Sequence, residues 1–534
     1  MSTPGSPVTL DLHDIQGNIV KAYSRYDYSH ARYVLFEITD GQAGRGFIAT
    51  LAERVTTSAP WGRGSTEERP ESTLNVALTF AGLRMLGLPQ ASLLTFSPEF
   101  ATGMRGRGAI LGDDGPSGPE RWDPVWRKPH RIHVLITING VSRDAIETAY
   151  AFVTDITGRY RAGVRCLTGH RDPEGRNDMP YQAASAIEID GKPTPKEHFG
   201  YTDGIGNPYF KGTGEHPENV LGGGKVTRRD ATTRAGWEPL ETGEFLLGYK
   251  DEAQEFPEAP MPPLLGRNGT YMVYRKLHQN VGSFNRYLDA VGTEYPGGKE
   301  ALAAKFAGRW RNGAPVTTFP TEAEAEAFAQ QWMAAKLKIQ QTPKGPAREE
   351  AKAAFAQLNA KFVAFDYSKD LPGAGCPVGA HIRRTNPRGS LEFGEAFAFD
   401  TRGALTNRRR ILRRGLPYGS VVDPQDDTGE HGIVFMALGA NIRRQFEFVQ
   451  QQWVNYGNDF RLGNDRDPII GNHGTTPEGK GDGRMTIEAE PGGGRPPFLC
   501  GGMPRFVETR GGEYFFVPSI TALRLIGEGM VDPT

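Results

Sequence analysis

The chain has 534 residues, and 62 Lys and Arg against 63 Asp and Glu give a formal net charge of −1. With this balance, the net charge gives no reason to expect binding to nucleic acid or to an anionic membrane surface. Hydrophobic residues make up 38% of the chain, which is enough for a buried core. The 68 Gly and 39 Pro predict many turns and long loops.

The cysteines and the apolar runs favour a cytoplasmic location. Cys166, Cys376 and Cys500 are far apart and odd in number, so they do not form a disulfide framework. Residues 1–9 lack the basic and apolar regions of a signal peptide. The longest apolar runs, such as 433–438, are far shorter than the ~18 residues that a membrane span needs.

The first half of the chain contains two predicted strands. Residues 32–39 and 133–138 are rich in β-branched and aromatic side chains. A turn is predicted at 139–140, after which Ser142 is a candidate helix N-cap. Apolar residues then follow at helical spacing up to Ile156, so the second strand is expected to lead into a helix.

The middle of the chain predicts a helical insertion, which we place at about 296–362. Residues 321–362 are rich in Ala, Glu, Gln and Lys, and Thr321 and Glu324 form a capping box. Residues 343–346 contain two prolines and a glycine, which should divide the segment into two helices.

The strand–turn–helix order returns late in the chain. Residues 432–438 predict a strand, Asn441 is a cap candidate, and apolar residues repeat at helical spacing over 442–453. Two such units indicate two related α+β halves, which we place at residues 1–220 and 221–534.

Three segments combine reactive side chains with unusual local sequence. The first, residues 199–208, places Asp203 among glycines that allow a tight turn and a close ligand approach. Taken alone, this pattern also fits a carboxylate that only stabilises a turn.

In the second segment, His381 is followed by Arg383, Arg384 and Arg388. Three nearby cations disfavour a protonated imidazole and suit a metal-ligating histidine, and arginines also suit the carboxylates of a bound ligand. The alternative is a basic surface loop.

The third segment, residues 408–420, has five arginines around Ile411 and Leu412, followed by a Pro-Tyr-Gly turn. Strand alternation would send Ile411 and Arg413 to one face and Leu412 and Arg414 to the other. The alternative is a solvated basic strand.

Together and in this order, the three segments resemble the longer form of the dye-decolourising peroxidases, a family of heme peroxidases. The similar stretches are GYTDG at 200–204, AHIRRTNPR at 380–388 and ILRRGLPYG at 411–419, with further similarity at 14–19, 444–451, 467–471 and 511–519. The resemblance implies an α+β fold in which two ferredoxin-like domains, each with an antiparallel sheet and helices, sandwich heme b. This agrees with the two halves described above.

The resemblance also implies roles for individual residues. His381 would be the proximal iron ligand, Asp203 the distal acid and base, and Arg413 the distal cation, with Arg409 as the second choice. Asp467 would accept a hydrogen bond from the proximal imidazole.

Three further residues are expected around the heme. Arg383 would pair with a heme propionate. Ile433 and Phe435, which alternate on one predicted strand, would close the distal pocket over the heme.

The implied activity is oxidation of dyes and of phenolic or other aromatic substrates by hydrogen peroxide, in one-electron steps through a ferryl heme. A carboxylate can move the peroxide proton, and a fixed guanidinium can stabilise the charge that develops. An unperturbed aspartic acid has a pKa near ~3.9 and an imidazole near ~6.5. A distal aspartate therefore stays competent as a base in acid where a distal histidine would be protonated, so an acidic optimum for substrate oxidation is expected.

Two other hypotheses stay open. The chain could be a heme-binding or heme-handling protein with incidental peroxidase activity, or a metal-free α+β protein that uses Asp203 as a hydrolytic base. The expected partners are hydrogen peroxide and small aromatic reductants, without nucleic acid or membrane, and a homo-oligomer is possible.

Overall fold

A computed structural model describes residues 8–62, 68–214, 219–227, 234–365, 367, 369–391, 403–489 and 492–531. Most of the N-terminal segment considered for a signal peptide therefore lies outside the described residues. The residues predicted for the site all fall within them, namely Asp203, His381, Arg383, Arg413, Ile433, Phe435 and Asp467.

The strands belong to one large sheet and three small hairpins. They are β1 (His30–Ile38), β2 (Ser72–Leu78), β3 (Val134–Gly140), β4 (Val164–Cys166), β5 (Gln182–Ser185), β6 (Glu188–Ile189), β7 (Lys192–Pro193), β8 (Lys225–Val226), β9 (Trp237–Glu238), β10 (Thr270–Gln279), β11 (Leu412–Tyr418), β12 (Gly432–Gly439), β13 (Gly483–Ile487), β14 (Phe498–Met503) and β15 (Val507–Val517).

The large sheet joins both halves of the chain. Within the described residues it has nine antiparallel strands in the order β11-β12-β10-β15-β2-β3-β1-β4, with β5 also paired to β1. The halves meet where Phe516 of β15 pairs with Leu78 of β2. At the other side of the sheet, β5 contacts β11, so the two outer ends of the sheet lie close to each other.

The helices cover the sheet and fill the long connections between strands. They are α1 (Gly17–Val20), α2 (Gly41–Ala52), α3 (Phe80–Met85), α4 (Gln90–Leu93), α5 (Pro98–Gly106), α6 (Gly108–Leu111), α7 (Arg143–Arg159), α8 (Val220–Gly223), α9 (Pro263–Gly266), α10 (Val281–Val291), α11 (Gly298–Ala307), α12 (Glu322–Gln341), α13 (Pro346–Ala360), α14 (His381–Thr385), α15 (Ala404–Asn407) and α16 (Ile520–Glu528). In the described part of the chain, none of them is both long and apolar enough to cross a membrane.

The strand–turn–helix unit of the first half is confirmed. The predicted strands correspond to β1 and β3, and the Ser142 hydroxyl accepts a hydrogen bond from the Ala145 amide at the start of α7. Ile146, Val153 and Ile156 of α7 are buried because helical spacing puts them on the face that packs on the sheet.

The two helices predicted for the insertion are also confirmed. Thr321 and Glu324 form the reciprocal capping box at the start of α12. The chain leaves the helix after Gln341 and resumes at Pro346, whose fixed φ suits the first turn of α13.

The predicted late helix differs in its hydrogen bonding. Asn441 does accept a hydrogen bond from the Arg444 amide, 2.8 Å away. The following turns, Arg443–Glu447 and Val449–Val454, are wide π-helical turns rather than α-helical ones. Such turns often accompany functional sites.

A second apolar cluster supports the segments that carry the candidate site. It includes Phe199 and Tyr201, next to Asp203, together with Ala380 beside His381 and Ile469 beside Asp467. One packed core therefore anchors chain segments that are far apart in the sequence.

Candidate active site

Asp203 and Arg413 form an ion pair between the glycine-rich loop and β11. Arg413 Nη1 donates to Asp203 Oδ1 at 2.8 Å, and Nη2 donates to the Ile205 carbonyl at 2.8 Å. The Arg413 amide also donates to Asn207 Oδ1 at 3.1 Å. The arginine thus fixes both the carboxylate and the loop that follows it.

The backbone of the loop determines where the Asp203 carboxylate lies. Gly200 and Gly204 have φ of +90° and +80°, a region that favours glycine. The Asp203 amide donates to the Pro195 carbonyl at 2.8 Å, and the Gly204 amide donates to Oδ1 at 2.6 Å. Asp203 Oδ2 accepts no hydrogen bond from the described residues, so this oxygen is accessible to a ligand.

His381 begins α14 and pairs with a fully buried carboxylate. Its Nδ1 donates to Asp467 Oδ2 at 2.9 Å, because an ionised carboxylate only accepts. Asp467 Oδ1 accepts from the amides of Ile469 and Ile470, at 2.8 and 2.9 Å. These contacts fix the imidazole and leave Nε2 without a hydrogen bond among the described residues.

The two pairs lie within electrostatic range of each other. Burial lowers the pKa of His381, but the charge and hydrogen bond of Asp467 outweigh it and raise the pKa overall. The charges of Arg413 and Asp203 also act on the pKa of His381, in opposite directions. The Asp203–Arg413 pair is thus close enough to influence the charge of the imidazole, and the His381 side chain is 32% exposed.

Ile433 and Phe435 share a face of the sheet with Arg413. In the antiparallel register, Arg413 lies opposite Ala437, Gly415 opposite Phe435, and Pro417 opposite Ile433. Directly opposed residues point to the same side of the sheet. Phe435 and Ile433 are half-buried, as expected for side chains that border the site.

The position of Arg383 differs from the sequence expectation. Its side chain is fully buried, with Nη1 donating to the Cys376 carbonyl at 2.7 Å and Nη2 to the Asp370 carbonyl at 2.7 Å. Arg383 Nη1 also pairs with Asp370 Oδ2 at 3.3 Å, so its charge already has an anionic partner and this geometry does not support pairing with a propionate. The expectation missed these contacts because a backbone carbonyl partner cannot be recognised from sequence.

Arg409 is likewise placed away from Asp203. Its guanidinium lies 3.8 Å from the centre of the Phe448 ring, and Nη1 donates to the Leu405 carbonyl at 2.9 Å. Of the two arginines considered for the distal cation, Arg413 is the one that contacts Asp203.

Sequence reasoning missed a group of buried arginines that lack negative partners. Burial, followed by the charges of Arg388 and Arg413, lowers the pKa of both Arg309 and Arg410 to about 9. Neither Arg309 nor Arg410 forms a salt bridge within the described residues. Arg309 lies in the helical insertion, and nothing in its local sequence distinguishes it from a surface arginine.

This arrangement fits heme. One imidazole nitrogen is available to the iron. Within the described residues, Arg309 and Arg410 donate to backbone carbonyls and have no carboxylate partner, which the two propionates would supply. Asn386, Arg388 and Arg410 line a narrow cleft. The donor set therefore matches a macrocyclic cofactor held by one protein ligand.

Sequence comparisons also relate the chain to peroxidases. Residues 14–173 match the family described as the DyP dimeric alpha+beta barrel domain. A dye-decolorizing peroxidase of Mycetinis scorodonius is 26% identical over 98% of this chain and 89% of its own length. A multifunctional dye peroxidase of Amycolatopsis sp. is 30% identical over 61% of this chain and 60% of its own length.

Solved structures agree over nearly the whole chain. An ancestral D-type dye decolorizing peroxidase has a TM-score of 0.66 and 26% identity, covering 97% of this chain and 99% of that one. A dye-decolorizing peroxidase in complex with 2,6-dimethoxyphenol has a TM-score of 0.67 and 25% identity, covering 97% and 100%. With the site geometry, these matches show that the chain is similar to dye-decolourising peroxidases over nearly its whole length.

Proposed function

We propose that the chain is a heme peroxidase that uses hydrogen peroxide to oxidise dyes and phenolic or other aromatic compounds. The observation that carries this proposal is the presence of two pairs that influence each other electrostatically, Asp203 with Arg413 and His381 with Asp467. The similarity of the chain to dye-decolourising peroxidases supports the same activity.

The cofactor would be heme b, with its iron on His381 Nε2 and its propionates near Arg309, Arg388 and Arg410. When bound, it supplies the redox centre that takes two oxidising equivalents from peroxide. Asp467, by accepting the Nδ1 proton, makes His381 a more basic ligand and fixes its tautomer.

Asp203 would move the peroxide proton. Its Oδ1 is held by Arg413 and the Gly204 amide, so Oδ2 is the atom that accepts the proton and returns it to the departing oxygen. The Arg413 guanidinium is already held by the loop and stabilises negative charge on that oxygen without reorganising. Ile433 and Phe435 would limit access of water to this side of the pocket.

The test is a comparison of heme-loaded variants. Asp203→Asn and Arg413→Ala should each slow the peroxide-consuming step by about 10²-fold or more, with the heme absorbance unchanged. His381→Ala should lose the absorbance of histidine-ligated heme.

The alternatives predict different outcomes. A heme-handling protein with incidental activity would turn over peroxide equally well with Asp203→Asn and Arg413→Ala. No Soret band after heme supplementation would contradict both heme hypotheses and favour a hydrolytic role for Asp203.

We also infer a cytoplasmic location, which the three cysteines support because all are free. Small aromatic reductants are the proposed partners. A homo-oligomer is also proposed, and sedimentation of the heme-loaded protein tests it.

A further inference from the structure

A buried carboxylate lies beneath the loop that carries Asp203. Glu197 is 9% exposed, and its Oε2 accepts from the Phe199 amide at 2.9 Å while Oε1 accepts from the Tyr201 amide at 2.7 Å. Gln279 of β10 donates its side-chain amide to Oε2. Further backbone bonds link Glu197 with Gly200 and Tyr201, so the loop closes on this side chain.

This carboxylate is costly to bury. Burial raises the pKa of Glu197, which the hydrogen bonds from Gln279, Phe199 and Tyr201 oppose. Glu197 forms no salt bridge within the described residues. The charge of Glu197 acts on Lys196 and Arg311, and the charge of Asp203 raises the pKa of Glu197 further.

Both side-chain oxygens of Glu197 must accept hydrogen bonds, which explains why a carboxylate is present at this position. Two backbone N–H groups and one side-chain N–H converge on Glu197, and only an ionised carboxylate offers acceptors alone. A glutamine would direct one N–H₂ group against a backbone donor. The loop conformation thus depends on the chemistry of this side chain.

The same loop is tied to the strand that carries Arg413. His198 Nε2 lies 2.9 Å from the Tyr418 carbonyl at the end of β11. Burial lowers the pKa of His198 to about 4, so its neutral ring donates this hydrogen bond. Glu197 and its neighbour therefore connect the Asp203 loop with both β10 and β11.

From the loop, the constraint continues to Asp203. Arg311 donates to the Phe199 carbonyl, and its own carbonyl accepts from the Thr202 amide at 3.1 Å. The Asp203 amide is held by Pro195, two residues before Glu197. Loss of the Glu197 contacts would release the amides of Phe199 and Tyr201, which the bonds to Arg311 and Pro195 do not hold.

We propose that Glu197 is a positioning residue that holds the Asp203 carboxylate against Arg413. It acts through the backbone of residues 199–203 and does not contact the substrate. The inference rests on the proposed function in so far as Asp203 is the proton carrier.

The first test needs no cofactor. Hydrogen exchange of the Phe199 and Tyr201 amides is measured in the cofactor-free protein and in Glu197→Gln, where about tenfold faster exchange is expected. Glu513→Gln is the matched control, because Glu513 is also buried and also accepts from two backbone amides, those of Met104 and Tyr514. Unchanged exchange in Glu197→Gln would overturn the proposal.

The second test uses the heme-loaded protein. Glu197→Gln should slow the peroxide-consuming step about tenfold or more, with the reductant-consuming step and the heme absorbance unchanged. Exchanging the two side chains in Glu197→Gln with Gln279→Glu restores their mutual hydrogen bond, and partial recovery of the rate is expected. An equal fall in both steps, or an equal effect of Glu513→Gln, would contradict a positioning role.

Two further variants separate failure of the positioning role of Glu197 from poor folding and from failure of the proposed function. Glu197→Asp retains the charge but shortens the reach by one methylene, so an intermediate rate is expected even if Glu197→Gln folds poorly. If Asp203→Asn does not slow the peroxide step, the proposed function fails. The exchange experiment would still report whether Glu197 holds the loop.

Discussion

At the scale of single residues, the partners of His381 determine how the site can bind a metal. Nδ1 is committed to Asp467, which is fully buried and held by two backbone amides. The imidazole is therefore presented in one orientation with Nε2 available. A histidine fixed in this way is a stronger and more basic ligand than one free to rotate.

Asp467→Asn should weaken heme binding by about 10- to 100-fold, because its side-chain N–H₂ cannot accept the Nδ1 proton. The side-chain oxygen of the asparagine would still accept from the amides of Ile469 and Ile470, so the loop should fold. The rate of heme transfer to a competing apoprotein measures the effect. Asp465→Asn is the control, since Asp465 pairs with Arg484 instead, and heme loss there should stay within about twofold of the parent protein.

Arg413→Lys should slow the peroxide-consuming step about 10- to 100-fold. Lysine keeps the positive charge but has no planar fork to contact Asp203 and the Ile205 carbonyl together. Stopped-flow measurement of the same step in Arg409→Lys discriminates between the two arginines. A larger loss in that variant would identify Arg409 as the distal cation.

At the scale of elements, β15 contains a carboxylate that should make stability depend on pH. Glu513 accepts from the amides of Met104 and Tyr514, at 2.7 and 2.8 Å. Burial raises the pKa of Glu513 to about 7, from its usual 4.5. Its protonated form is thus favoured in the folded state, so its contribution is present below pH 4.5 and is lost as the pH rises through 7.

Glu513→Gln should remove this dependence, because a glutamine does not ionise. Relative to the variant, the parent protein should lose on the order of 3 kcal/mol in free energy of unfolding between pH 4 and pH 8. Denaturant titrations across this range provide the measurement. A constant difference between the two proteins would show that Glu513 titrates normally.

The helical insertion should depend on its capping box. Thr321→Ala removes the acceptor for the Glu324 amide, which should destabilise the start of α12 by about 1 kcal/mol. Faster hydrogen exchange confined to the first turns of α12 is the expected signal. A uniform change over the whole chain would instead indicate a global effect.

At the scale of the whole molecule, buried ion pairs link the two halves. Lys276 of β10 donates to Asp123 Oδ2 at 2.7 Å, and both side chains are fully buried. Arg275 and Asp113 form a second buried pair between the same parts of the chain. The domain boundary near residue 220 remains a proposal. The buried ion pairs across it predict that the two halves unfold together.

Lys276→Met should cost about 3 kcal/mol, because it leaves the buried Asp123 carboxylate with only its longer ion pair to Arg171, at 3.8 Å. Adding Asp123→Leu should recover most of the loss, since two apolar side chains leave no uncompensated charge. Coincident unfolding transitions followed by tryptophan fluorescence and by circular dichroism test the cooperativity. Two separate transitions would show that the halves unfold independently.

Much of the local structure could be predicted from the sequence. β1, β3 and β12, the Ser142 cap and the capping box of α12 follow from short-range patterns of apolar and polar residues. The resemblance of three short segments and of the further stretch 467–471 also singled out Asp203, His381, Arg413 and Asp467, which form two hydrogen-bonded pairs in the structure. The predictions of the elements succeeded because each depends on neighbours in the chain, while the roles of the four residues stay predictions that rest on contiguous motifs.

Only the tertiary structure decided the roles of the arginines and of the buried acids. Arg383 donates to backbone carbonyls, Arg409 stacks on Phe448, and Arg309 comes from the insertion to lie near Arg388. Glu197 also gives no local sign that it is buried. The sequence by itself determined the elements and the reactive residues, whereas the partner of a long charged side chain depends on segments hundreds of residues away that only folding brings within a few ångströms.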